Sequence, residues 1–221
     1  LFRPRPSPQG RDALGLPDDK IIFGFFNATR KLTPLTFRLT VDILRRVEHS
    51  MLWILFFNSF AQTNFLQAIK NEGLDPGRII VARKAHYIDH LARLPAVDIG
   101  LESFPYNGHT TTSDLLWAGV PVVTARGSHF ASRVSESLLT ALDVLELVAS
   151  DHRSYVDLAV SLAGDDTARL AIRARIAANR STAPLFDTIR FTRHLESAYV
   201  LMAERAKLGL PPDHIDVASL A

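Results

Sequence analysis

Residues 20–57 read KIIFGFFNATRKLTPLTFRLTVDILRRVEHSMLWILFF, and two structural periods alternate within them. Ile21–Phe26 is a short, continuous apolar run, the pattern of a strand covered on both faces. Thr33-Pro34 then supplies an N-cap and a first-turn proline, and Leu35, Leu39, Ile43 and Val47 follow at helical spacing, so a helix is expected to end near His49. Met51–Phe57 is a second apolar run with strand character. Strand, polar loop, amphipathic helix and strand make one crossover unit.

The unit repeats downstream. The pattern predicts a helix over Thr63–Asn71 closed by Gly73, a strand over Arg78–Ala82 and a helix over Ala85–Arg93. A strand over Val97–Glu102 and a helix over Thr112–Ala118 ending at Gly119 come next. Val120–Thr124 reads as a strand, Phe130–Leu142 as a helix and Leu145–Val148 as a short sixth strand. Such alternation requires right-handed crossovers and a parallel sheet with helices on both faces, a doubly wound α/β domain over residues 20–150. Residues 1–19, with four prolines, three arginines and no sustained period, read as a linker. Residues 151–221 read as a helical segment with candidates at Asp151–Leu162, Asp166–Asn179 and Thr188–Leu208. In the last, Phe191, Leu195, Ala198, Tyr199, Met202 and Ala206 form one apolar stripe, stopped by Gly209 and Pro211. That stripe packs either on the sheet or on a neighbouring domain.

Composition narrows the function. Among 221 residues, 25 Lys and Arg face 23 Asp and Glu, so neither a nucleic acid nor another polyanion is an expected partner. The absence of Cys excludes disulfides, thiolate metal sites and Cys nucleophiles. Met51–Phe57 falls far short of the roughly 20 residues of a membrane helix. No charged-then-apolar leader opens the chain, so a cytoplasmic protein without a membrane partner is expected. The first residue is Leu1, which reads as a piece of a longer polypeptide.

In an open parallel sheet, ligands bind beyond the carboxyl ends of the strands. Four loops fall there: Asn27–Thr33, Arg83–His90, Ser103–Asp114 and Ala125–His129. Pro105–Asp114, PYNGHTTTSD, carries most information. Gly108 permits close approach of backbone to ligand, and the hydroxyl run opens a helix whose first N–H groups suit a phosphate. The same residues admit a plainer reading, because Thr111-x-x-Asp114 matches a capping box. Lys31 is either a solvated loop lysine or a point charge for a diphosphate. His86 and His90 stand four apart beside Asp89, but no H-E-x-x-H and no well-spaced third ligand accompanies them, so no metal is expected. G-x-x-x-x-G-K-[ST], G-x-S-x-G and a glycine fingerprint after the first strand are all absent. The residues alone lead to an α/β domain for a phosphorylated ligand.

Asn107-Gly-His-Thr-Thr, Asp114, Leu116-Trp-Ala-Gly119 and Ala131-Ser-Arg-Val134 together resemble the C-terminal catalytic lobe of O-linked N-acetylglucosamine transferases. Met51-Leu-Trp-Ile-Leu55, Gly73-Leu74, Arg78-Ile-Ile80, Pro184-Leu-Phe186 and Pro212-Asp-His214 follow the same order, so the resemblance runs from about residue 16 to 216. It favours the bacterial members at Asn27-x-x-x-Lys31. The resemblance implies the second Rossmann-like half of a GT-B glycosyltransferase, with C-terminal helices, that binds UDP-N-acetylglucosamine without a metal or other cofactor. It implies inverting transfer to Ser or Thr hydroxyls of an acceptor protein. Lys31 would be the catalytic contact to the departing diphosphate. Asn107, Gly108, His109, Thr110 and Thr111 would form the phosphate and sugar loop, Asp114 would accept from the ribose, and His90 would stack on uracil. Two positions depart from animal members: Ala28 replaces a Gln and Tyr87 replaces a Lys. The family's N-terminal catalytic half and tetratricopeptide helices are not in these residues, so this chain alone is expected to bind nucleotide without turnover. Transfer of fucose from a GDP donor, glucosylation of Asn and a non-catalytic nucleotide-binding module are the alternatives.

Overall fold

The computed structural model describes residues 3–218. Six parallel strands form one sheet in the order β3-β2-β1-β4-β5-β6. They are β1 (Ile21–Phe25), β2 (Ser50–Leu55), β3 (Ile79–Ala82), β4 (Ile99–Leu101), β5 (Val122–Ala125) and β6 (Val148–Ala149). The chain winds outward through β2 and β3, returns beside β1 as β4, and winds the other way. The reversal lies between β1 and β4, where a crevice opens at the carboxyl ends. Ile22, Phe23, Phe25, Leu52, Ile54, Ile99 and Leu101 are almost wholly buried, as a sheet covered on both faces requires.

The helices are α1 (Arg11–Leu14), α2 (Pro34–Arg46), α3 (Ser59–Asn71), α4 (Tyr87–Arg93), α5 (Thr110–Trp117), α6 (Val134–Ala141), α7 (His152–Gly164), α8 (Asp166–Asn179) and α9 (Thr188–Lys207). At α2 the anticipated cap forms: Thr33 Oγ1 accepts from the Thr36 N–H at 3.2 Å, with Pro34 in the first turn. The same two threonines reach across the crevice. Thr33 Oγ1 lies 2.7 Å from the Phe104 carbonyl oxygen, and the Phe104 N–H donates to Thr36 Oγ1 at 2.9 Å. The start of α2 thereby holds the loop after β4 against the loop after β1.

Several boundaries differ from the sequence reading, each for a local reason. Helix α3 begins at Ser59, not Thr63, because Asn58 caps it through the Ala61 N–H at 2.8 Å. The stretch expected as one helix over Phe130–Leu142 breaks into a 3-10 turn, Phe130–Ser132, followed by α6. Phe130 is 82% exposed and lies in the turn, outside α6. Residues 145–147 form another 3-10 turn, leaving β6 only two residues.

The early segment lies on the domain. Leu16 is buried, the Trp117 indole N–H donates to the Pro4 carbonyl at 2.8 Å, and Arg11 pairs with Asp98 at 2.6 Å. At the other end, α7 packs on α2 and β5, and α8 packs on α7. Helix α9 buries none of its residues, and Phe191, Tyr199 and Met202 are more than half exposed. Residues 1–2 and 219–221, the outer ends of the two flanking segments, lie outside the described residues.

Candidate functional site

The loops after β1 and β4 meet at the topological switch point. Lys31 ends a 3-10 turn, Thr29–Lys31, and is half-buried. Its ammonium donates to the Asn107 carbonyl oxygen at 2.6 Å and stands 3.8 Å from the Tyr106 ring centroid. Burial, and secondarily the Arg30 charge, pull its pKa below the ordinary lysine value, while Glu102 acts the other way. Lys31 and His109 follow the neighbouring central strands β1 and β4 at the same carboxyl end of the sheet, close enough for the Lys31 charge to act on the imidazole.

The β4 loop is built from buried polar groups. Glu102, Ser103, Asn107 and Gly108 are all shielded from solvent. The Gly108 N–H donates to Glu102 Oε1 at 2.6 Å, the Ser103 hydroxyl to the Tyr106 carbonyl at 2.7 Å, and the Asn107 N–H to the Ala131 carbonyl at 2.9 Å. A Cβ on residue 108 would stand 2.3 Å from Thr112 Oγ1 and 2.9 Å from Asn27 Oδ1, so the loop's own packing requires glycine here. His109 takes the N-cap position of α5 but makes no side-chain capping bond. Thr110 and Thr111 occupy the first turn, whose N–H groups have no helical partners. The capping-box reading of Thr111 and Asp114 is therefore overturned: both lie inside the helix, and Asp114 points its carboxylate to other partners. His109 packs edge-on against Tyr106, and its Nε2 is buried without a hydrogen-bond partner among the described residues. Burial first, then Lys31, lowers its pKa, so the imidazole is neutral near pH 7.

Asp114, one turn into α5, pairs with Arg3 and accepts from the Tyr87 hydroxyl at 3.1 Å. Both bonds fall on Oδ1. Burial raises its pKa against the opposing pull of Arg3. Tyr87, the departure noted in the sequence, thus links α4 to α5. His90 lies on the inner side of α4, its ring edge-on to Phe26 at 5.3 Å and its Nδ1 bonded by Arg93 at 3.0 Å. Burial, then the Arg93 charge, lower its pKa to about 4. The structure thus gathers Lys31, Asn107, Gly108 and His109 tightly, with Thr110 and Thr111 on the adjoining turn. Asp114 and His90 stand on the flank toward α4. Among the described residues, no three His, Asp or Glu side chains cluster as metal ligands.

Sequence reasoning missed Glu102, Ser135, Asn27 and Arg3. Glu102 carried one usable signal: a carboxylate directly after the apolar stretch Ile99-Gly-Leu101, at the carboxyl end of a central strand, is buried and must be partnered. Arg3 carried none, because its pairing with Asp114 joins residues 111 apart.

The family model described as glycosyl transferase family 41 matches residues 8–195. A UDP-N-acetylglucosamine–peptide N-acetylglucosaminyltransferase of Caenorhabditis elegans is 39% identical over 201 residues, covering 90% of this chain and 17% of that protein. The probable enzyme SEC of the same designation from Arabidopsis thaliana is 35% identical over 98% of this chain and 22% of its own length. The chain thus spans about a fifth of the length of these relatives. Among solved structures, a lysine-to-methionine mutant of the Thermobaculum terrenum O-GlcNAc transferase superposes with a TM-score of 0.82 at 29% identity, covering 86% of this chain and 37% of that one. Anabaena HepE, solved with UDP and glucose, shares the fold at a TM-score of 0.61, 18% identity, and coverage of 87% and 51%. The fold is the Rossmann-like half of a GT-B glycosyltransferase, and the chain belongs to glycosyl transferase family 41.

Proposed function

We propose that this chain is the donor-binding half of a metal-independent, inverting glycosyltransferase that moves N-acetylglucosamine from UDP-N-acetylglucosamine to Ser or Thr hydroxyls of proteins. The observation that carries this reading is the convergence of the Lys31 ammonium and the open N-terminus of α5 at the carboxyl ends of β1 and β4, tied through the 2.6 Å bond from Lys31 to Asn107. Together they offer positive charge to a diphosphate.

In the reaction, an acceptor hydroxyl oxygen bonds to the anomeric carbon from the face opposite UDP. The bond from that carbon to the β-phosphate oxygen breaks, its electron pair leaves with UDP, and the acceptor's hydroxyl proton passes to a base outside this chain. Charge grows on the leaving phosphate, so donors aimed there lower the barrier more than they tighten ground-state binding. Lys31 is the catalytic residue in this scheme. His109, Thr110 and Thr111 bind the diphosphate and nearby sugar oxygens, with neutral His109 as a hydrogen-bond donor, while Asn107 and Gly108, whose N–H groups are held by Ala131 and Glu102, shape the substrate-binding loop that presents them. Asp114 Oδ2 takes a ribose hydroxyl while Oδ1 stays with Arg3 and Tyr87, and the neutral His90 ring faces the uracil. The acceptor site and the remaining catalytic groups belong to the rest of a longer, cytoplasmic polypeptide.

In that longer polypeptide, Lys31→Ala lowers turnover by about 10²–10³. Unchanged turnover would remove Lys31 from the mechanism. Calorimetric titration of this chain with UDP and with GDP tests the donor: saturable heat with UDP alone supports the reading, preference for GDP shifts it to a GDP-sugar, and no binding leaves only a scaffold.

A further inference from the structure

Glu102 sits 1% exposed at the carboxyl end of β4, directly beneath the loop that carries Asn107–His109. Its Oε1 accepts from the Gly108 N–H at 2.6 Å, the Ser103 N–H at 2.8 Å and the Asn27 side-chain amide at 3.3 Å. Its Oε2 faces the hydroxyl of Ser135, from α6. That hydroxyl has two further neighbours: the Gly108 carbonyl oxygen at 3.1 Å and Thr112 Oγ1 at 3.1 Å.

A hydroxyl has one hydrogen and two lone pairs. The Gly108 carbonyl can only accept, so its bond with Ser135 uses that hydrogen. An ionised Glu102 can only accept as well, and its Oε2 would then face a Ser135 lone pair at a position 1% exposed, which is costly for a buried charge. One arrangement satisfies every group. With a proton on Oε2, Glu102 donates to Ser135, Ser135 donates to the Gly108 carbonyl, and Thr112 donates to Ser135. The three donors on Oε1 remain satisfied, because the carbonyl oxygen of a neutral acid accepts them too. Two titratable groups face Glu102 from neighbouring elements. Tyr155, on α7, accepts the Glu102 backbone N–H at 3.1 Å, and burial keeps its phenol neutral. Lys31 acts only through space, its ammonium being bonded to Asn107. Burial raises the Glu102 pKa, against the opposing pull of the Ser135, Gly108 and Ser103 hydrogen bonds and of the Lys31 charge.

We propose that Glu102 is a positioning residue that works as the neutral acid, its proton closing a Glu102–Ser135–Gly108 chain that sets the loop at the start of α5 without placing a negative charge beneath the diphosphate. This rests on the donor-site reading for its role, but not for its protonation. Placing a carboxylate there would offset the Lys31 charge that the leaving phosphate needs.

The test uses this chain and UDP. Glu102→Ala weakens UDP binding about tenfold or more, and Glu102→Gln, whose amide reproduces the acceptor and the donor of the neutral acid, restores it. An infrared difference spectrum, wild type minus Glu102→Gln, shows a protonated-carboxyl stretch at pH 7. Should Glu102→Ala fail to fold, Ser135→Ala breaks the same chain and is expected to weaken UDP binding comparably. The proposal is overturned if Glu102→Gln binds as poorly as Glu102→Ala, if the protonated band is absent, or if either alanine variant binds like wild type. Wild type that binds no UDP sinks the donor-site reading instead. The infrared band then decides the protonation, and thermal melts of the Gln and Ala variants decide the positioning, with equal melts counting against it.

Discussion

Gly108 shows how little tolerance the loop has. A methyl group there would press on Thr112 Oγ1 and Asn27 Oδ1, and the Thr112 backbone nitrogen, 3.2 Å away, limits retreat. Gly108→Ala should therefore shift the start of α5 and weaken UDP binding about tenfold or more by calorimetry, with far-UV circular dichroism unchanged. His90 supports a second prediction, in pH. Its folded pKa of about 4 lies below the ordinary 6.5, so between those values the unfolded chain binds more protons. Stability then falls as pH drops from about 6.5 toward 4, and is level with respect to His90 above that range. Asp114 and Glu102, with raised pKa values, act in the opposite sense, so the comparison must isolate His90. The melting temperature of His90→Gln is expected to fall less steeply than wild type across that window; parallel slopes would contradict the assignment.

At the scale of elements, period and turn chemistry made the strands and most helices legible within a few residues, because apolar runs and caps such as Thr33-Pro34 are local facts. What escaped was set by contacts distant in sequence. Phe130 reads as the start of a helix but faces solvent in a turn, and the Pro-rich early segment gave no sign that Trp117 and Asp98 would hold it. The site divides the same way. Lys31 and the Gly108–Thr111 loop were visible as chemistry at strand ends, whereas the Ser135 hydroxyl beneath them comes from another helix 33 residues beyond Glu102. Strand pairing at the switch point makes its own prediction. Gly24 in β1 registers against Gly100 in β4, and a Cβ at Gly24 would lie 2.8 and 2.9 Å from the two methyls of fully buried Val97. Branched at Cβ, Val97 has little freedom to turn away. Gly24→Ala should cost about 1–3 kcal/mol, seen as a lower urea midpoint at constant m-value.

At the scale of the whole molecule, α9 is the element this domain leaves unused. Its stripe at Phe191, Leu195, Tyr199 and Met202 is 65%, 39%, 58% and 53% exposed, although every other long helix buries part of an apolar face. A long amphipathic helix draws most of its stability from the surface it packs on. Because the chain spans only about a fifth of its relatives' length, the surface that fits α9 in our reading is the other lobe of the longer polypeptide. Tyr199 and Met202 are three apart and share a face, so the pair Tyr199→Asp and Met202→Asp charges that face without touching the sheet. In this chain the double variant should melt within about 2 °C of wild type, since exposed substitutions away from packed features cost little. In the longer polypeptide the same pair buries two carboxylates at the lobe junction, and is expected to lower the melting temperature and turnover together. A large loss of stability in this chain would mean that α9 packs on its own domain. An unaffected longer polypeptide would mean that the stripe faces solvent there too.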